Sequence, residues 1–169
     1  MIRAPHPHEI RLLPQIENAA DRRYVRVGLK LVLDMPAHPV AALERGRRES
    51  RLWIAVSPHS RAIGFALMEI RAGTAWIEQL SVLDRWQGRG FGTALIDRCA
   101  KAARSRGYDA LYLTTYRDVA WNEPYYRRRG FAEVPRGDFS PPLRAVLLTE
   151  VRNGHPVWRR ALMKRRTHE

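Results

Sequence analysis

The sequence has a single cysteine, Cys99, among 169 residues, so no internal disulfide can form. That scarcity fits a reducing compartment, and a cytoplasmic location is the expectation. No apolar run approaches the ~20 residues that cross a bilayer. Met1-Ile2-Arg3-Ala4-Pro5-His6 lacks the apolar core of a secretion signal, and no membrane partner is expected. Lysine is scarce too. Lys30, Lys101 and Lys164 are the only three among 30 basic residues, so 27 are arginine. Acidic residues number 17, which leaves a formal net charge of +13. A surface this basic attracts nucleic acid or acidic substrates. A coding bias towards Arg and Ala gives the same composition with no partner at all. The six histidines show no metal-ligand spacing apart from His6-Pro7-His8, which is terminal, and no metal is expected. Repeats and low-complexity segments are absent.

What is present reads as one domain over residues 1–169, with 45% hydrophobic residues and enough length to bury a core. Ile10-Arg11-Leu12-Leu13 reads as a short first strand. Pro14 then opens a polar helix over 15–29. Asp34-Met35-Pro36-Ala37-His38-Pro39 is a turn-rich break, and 40–49 reads as a second short helix. The near-continuous apolar run Leu52-Trp53-Ile54-Ala55-Val56 suits a central strand. Strands follow at 62–70 and 75–83, the two joined by a hairpin-like link. From Phe91 the apolar positions 91, 94, 95, 99, 102 and 103 keep helical spacing, and Gly107 stops that helix. This places Cys99 on a buried face as a structural thiol. A strand at 110–114, a two-turn helix from Asn122, a strand at 131–134, a helix at 143–152 and a last strand at 156–163 complete the chain. The tail Lys164-Arg165-Arg166 is expected to fray. Trp53, Trp76 and Trp158 are expected in the core. Strands and helices alternate, which makes the fold α/β, a three-layer sandwich of mixed strand direction.

The stretch Gln87-Gly88-Arg89-Gly90-Phe91-Gly92-Thr93 lies at a strand-to-helix junction. Glycine lets backbone N–H groups approach a ligand with no Cβ in the way. The helix N-terminus adds unsatisfied donors and a partial positive charge, and together they seat a phosphate or diphosphate. A dinucleotide fingerprint needs Gly where Thr93 stands, and a Walker loop needs a lysine that is missing. A plain glycine-rich turn is the alternative.

The order Gln-x-x-Gly-x-Gly after a strand reading Glu-x-Leu-x-Val resembles the acetyl-CoA-binding motif of the GCN5-related N-acetyltransferases, the GNAT superfamily. Trp121-Asn122-Glu123-Pro124-Tyr125-Tyr126 followed by Arg127-Arg128-Arg129-Gly130-Phe131 resembles that family's second motif. The resemblance covers residues 51–134 and implies acetyl-CoA as cosubstrate, a primary amine as acceptor and a mixed, mostly antiparallel central sheet. Gln87, Gly88, Arg89, Gly90, Phe91, Gly92 and Thr93 would hold the diphosphate. The backbone of Leu80, Ser81 and Val82 would bind pantetheine at a strand bulge. Asn122 would reach the pantetheine arm, or serve only as a helix N-cap.

Glu78 lies in an apolar strand, on one nominal face with Trp76, Leu80 and Val82. A carboxylate there is costly to desolvate unless paired or used. Acetyl transfer needs a neutral amine, and in many relatives a Glu at this place removes the ammonium proton. A salt bridge to one of the arginines is the competing role. Tyr126 matches the family's tyrosine, whose phenol would protonate the leaving thiolate or hold the sulfur by a hydrogen bond; its neighbour Tyr125 competes for that part. The Asn-to-Tyr spacing is shorter here than is usual in the family. The leading function is therefore direct N-acetyl transfer to a small-molecule or peptide amine, with an acidic acceptor and a longer acyl donor both open. A basic nucleic-acid- or ribosome-binding module on the same scaffold is the alternative. Relatives are often dimers, so a homodimer is among the expectations.

Overall fold

Ile10, Leu13 and Ile16 recur every three residues and all three are buried, whereas Arg11 and Leu12 face outwards. That is a helical face, not strand alternation. The segment accordingly forms a 3-10 turn at Pro7–Leu12 running into helix α1, Leu13–Asp21. The first strand is instead the short β1 at Ile2–Arg3. The expected long helix over 15–29 stops at Asp21 and continues as a 3-10 segment, Arg22–Val27, closed by Gly28 in the left-handed region. The structure, a computed structural model, describes residues 1–168.

The remaining elements run α2 Leu31–Asp34, α3 Val40–Arg48, β2 Leu52–Val56, β3 Ala62–Arg71, β4 Thr74–Val82, α4 Phe91–Ser105, β5 Ala110–Tyr116, α5 Glu123–Arg127, β6 Ala132–Glu133, α6 Pro141–Arg152 and β7 Arg160–Arg166. The strands form one mixed seven-stranded sheet in the order β1-β2-β3-β4-β5-β7-β6, flanked by helices. The ladder between β4 and β5 is parallel, and those of β1–β2, β2–β3, β5–β7 and β6–β7 are antiparallel. The α/β class and the mixed sheet are as the sequence implies.

Two compact units make up the chain. The first combines Met1–Glu69 with Ile77–Ala102. Its core joins Ile10, Leu13 and Ile16 to Leu43 of α3 and to Leu52, Ile54, Val56, Phe65 and Leu67 of β2 and β3. Leu13 and Leu43 are fully buried, each contributing about 1.5–3 kcal/mol. β3 and β4 meet closely at Gly64. A Cβ there would lie 2.5 Å from the Ser81 carbonyl oxygen and 3.0 Å from the Val82 side chain. Gly64→Ala is therefore expected to destabilise the protein by about 1–3 kcal/mol through overpacking. Urea unfolding measures it, and an unmoved midpoint would contradict the contact.

The second unit combines Ile70–Trp76 with the chain from Ala103 onward. Its core gathers Trp76, Val134, Phe139, Leu143, Leu147 and Leu162. β7 begins at Arg160, later than the sequence suggests, and this moves two expectations. Trp158 falls in a 3-10 turn ahead of the strand and is 72% exposed, so it is not core. Lys164-Arg165-Arg166 does not fray. Backbone pairing fixes it, with Lys164 opposite Tyr112 on one side and Ala132 on the other. Among the described residues, no helix is long and apolar enough to cross a membrane, and no group of three or more His, Cys, Asp or Glu is arranged to hold a metal.

Candidate active site

In the first unit, β4 ends at Val82, a 3-10 turn covers Asp84–Trp86, and α4 starts at Phe91. The bend between them is Gln87-Gly88-Arg89-Gly90. Gly88 and Gly90 have φ of +70° and +82°, the left-handed region that other residues enter at a cost. A Cβ built on either glycine meets nothing within 4 Å, so both backbones face open space. The first intrahelical bond runs from the Ala94 N–H to the Gly90 carbonyl at 3.0 Å. The first turn of α4 presents the positive end of the helix to the bend. Arg89 lies over the Trp86 ring at 5.0 Å, and Trp86 meets Phe91 edge-on at 5.9 Å.

The Gln87 side chain is hydrogen-bonded within the protein. Its Nε2 donates to the Val82 carbonyl at 2.9 Å and to Asp84 Oδ1 at 3.1 Å, while its Oε1 accepts from Arg23 at 2.8 Å. The side chain braces the bend against the end of β4. Along β4, Ser81 is 2% exposed and its hydroxyl accepts from Gln79 at 3.0 Å. Val82 is buried and Leu80 half-buried. The parallel ladder to β5 pairs Ala75 with Leu111 and Trp76 with Tyr112, and β4 runs on beyond it from Ile77 to Val82.

Glu78 stands on that continuation with its side chain 23% exposed. Facing it is His38, from the link between α2 and α3, with Nε2 3.8 Å from Glu78 Oε1. The other ring nitrogen, Nδ1, lies 2.9 Å from Glu17 Oε1, and the His38 backbone N–H donates to Glu17 Oε2 at 3.1 Å. Glu17 is buried on α1. Burial works against the charged His38 ring, but the hydrogen bond to Glu17 and the negative charges of Glu17 and of Glu78 at ion-pair range outweigh it and push the imidazole up to about 10. Asp21, one turn beyond Glu17, is pushed up to about 7 by burial and by the Glu17 charge, against the pull of Arg23 and His38.

In the second unit, Asn122 precedes α5 and is 4% exposed. It occupies the N-cap position, but its side chain makes no capping hydrogen bond; its carbonyl accepts from the Tyr126 N–H at 2.9 Å. Tyr126 is half-buried and packs edge-to-face on Phe131 at 5.7 Å and on Tyr125 at 5.3 Å. Tyr125 is covered differently, by the Arg129 guanidinium 3.4 Å from its ring centroid.

The sequence model of the acetyltransferase (GNAT) family matches residues 15–131, which takes in both sequence motifs and α1 from its third residue onward. The chain belongs to the GNAT acetyltransferase family. Solved structures agree in fold. A GNAT-family acetyltransferase from Staphylococcus aureus Mu50 superposes with a TM-score of 0.71 at 15% identity, over 99% of this chain and 98% of that one. The PaiA N-acetyltransferase of Thermoplasma acidophilum, solved in complex with coenzyme A, gives 0.71 at 14% identity over 98% of each chain. The ribosomal-protein-S18-alanine N-acetyltransferase of Escherichia coli gives 0.65 at 16% identity, over 99% of this chain and 93% of that one.

Within this GNAT chain, the first unit brings together Glu78, the Leu80–Val82 backbone and the glycine bend, all on one strand and the helix that follows it. Asn122 and Tyr126 belong to the second unit. Sequence reasoning passed over Glu17 and His38. Glu17 carried a readable signal: it shares the buried face of α1 with Leu13, Ile16 and Ala20, and a carboxylate on such a face needs a partner. His38 carried none, because a histidine between two prolines reads as a turn.

Proposed function

We propose that this chain moves an acetyl group from acetyl-CoA directly to a primary amine. The observation that carries the reading is the bend itself: two left-handed glycines facing open space at the N-terminus of α4, one turn past the strand that bears Glu78. That cradle fits a diphosphate, because approach to the amides is unhindered and the helix end favours negative charge. Gly88, Arg89, Gly90, Phe91, Gly92 and Thr93 would bind the diphosphate, with Arg89 adding charge and Gln87 holding the bend in shape. The backbone of Leu80, Ser81 and Val82 would line the pantetheine arm, which Asn122 would also reach. Bound acetyl-CoA supplies the acyl group activated as a thioester.

Glu78 takes the proton from the acceptor's ammonium, leaving a nucleophilic amine. Tyr126 gives its phenolic proton to the departing sulfur, while its neighbour Tyr125 has the Arg129 guanidinium over its ring. Direct transfer is favoured over an acyl-enzyme because Cys99, the one thiol of the chain, is fully buried in α4. An assay of thiol release from acetyl-CoA across polyamines, amino acids and peptides with free N-termini or lysines tests the reading. Acceptor-dependent release is the expected result. A chain that binds no CoA and releases no thiol with any amine refutes it.

A further inference from the structure

We propose that His38 is a positioning residue for the reaction, holding the Glu78 carboxylate in place and setting the pH at which it takes up a proton, as the middle member of a Glu17–His38–Glu78 series anchored on α1. This rests on the reading of Glu78 as the base. Three observations carry it. The first is how the ring is fixed. Pro39 follows His38 and keeps it out of helical conformation. Glu17 then grips the residue twice, through the backbone N–H at 3.1 Å and Nδ1 at 2.9 Å. A ring held by one carboxylate through one nitrogen presents the other in a set direction, the role that an orienting acid plays beside any catalytic imidazole.

The second observation is where that other nitrogen points. Nε2 stands 3.8 Å from Glu78 Oε1, within ion-pair reach. The third is charge. Two carboxylates flank the imidazole, which stays protonated well above neutrality, so it has no room for Glu78's proton. It acts on Glu78 as a fixed cation, and a cation at this range favours the ionised carboxylate. Asp21, on the same helix as Glu17, also interacts with the ring, and Arg23 in the following turn pulls in turn on Asp21. Glu17 is the buried foundation and Glu78 the working end. The arrangement lies wholly within the first unit.

The series has a stability signature with a definite sign. The folded-state value of His38 lies above its ordinary 6.5, so the ring's contribution is fully present below pH 6.5 and is lost as pH rises towards about 10. His38→Gln should flatten that alkaline loss.

Two measurements on the full chain decide the matter. In imidazole-detected NMR titration, His38 should deprotonate near pH 10 in the wild type and about one pH unit or more lower in Glu78→Gln. A ring that titrates at its ordinary pH, or that does not notice Glu78→Gln, overturns the proposal. In the pH profile of kcat/KM with the best amine of the panel, His38→Gln should move the acid limb upward by about one pH unit. That change appears as about a tenfold loss at the foot of the limb and a smaller one on the plateau. An unmoved limb overturns the proposal as well. If no amine is acetylated, the reading of function fails while the titration still decides whether His38 is coupled to Glu78.

Discussion

Replacing Glu78 with Gln is expected to lower kcat for acetyl transfer by about 10²–10⁴-fold, the range that a positioned general base contributes. The substitution keeps the shape of a partly exposed side chain and removes its capacity to accept a proton. CoA affinity should change little, because the glycine bend and the β4 backbone are untouched. The defect should shrink as pH rises, since more of the acceptor amine is then neutral in solution and needs no base. That pH signature separates loss of a base from general damage to the fold. Steady-state kinetics between pH 6 and pH 10 would check it. Equal rates for variant and wild type at every pH would remove Glu78 from the mechanism and leave it as a structural partner of His38.

The second large effect is expected at Gly90. Its φ of +82° strains any L residue, by about 1–2 kcal/mol. Its surroundings are open, so a side chain there clashes with nothing in the protein. Gly90→Glu adds a carboxylate beside the N-terminus of α4, where it takes up the amides and the helix field that a diphosphate would use. CoA affinity should fall about 100-fold, or about 2.8 kcal/mol. Gly90→Ala carries the backbone strain alone and should lose less. Calorimetric titration with CoA measures both. If Gly90→Glu binds as the wild type does, the diphosphate is held elsewhere.

Much of this architecture was legible before any coordinates. The run Leu52–Val56 is a fully buried strand because an unbroken apolar segment of that length has no polar face to offer water. The helix from Phe91 was legible because its apolar positions keep helical spacing: Leu95, Cys99, Ala102 and Ala103 are buried as that face requires, whereas Phe91 is half-buried and Ala94 exposed in the first turn. The bend after β4 was readable because glycines cluster between an apolar strand and a helical face, and Gly88 and Gly90 do take positive φ there. The failures have physical causes. Ile10–Leu13 is too short for periodicity to separate strand from helix until Ile16 is counted with it. Trp158 looked like core because tryptophan usually is, but the register of β7 starts two residues after it. The basic tail looked frayed on composition, whereas ladder pairing depends on backbone and tolerates outward-facing charge. The Gln87 side chain bonds to Val82 and Asp84 nearby and to Arg23 across the fold, and the order of residues around it does not encode these hydrogen bonds. His38 and Glu17 meet Glu78 only through tertiary packing, which no local pattern encodes.

The sealing of Cys99 inside α4 has a practical consequence at the bench. Aromatic disulfide reagents need a solvent-reachable sulfhydryl, so the native chain should add no colour of its own to an assay that reports free CoA. Colour from the polypeptide, one equivalent per chain, would instead mark molecules whose helix has come away from the sheet.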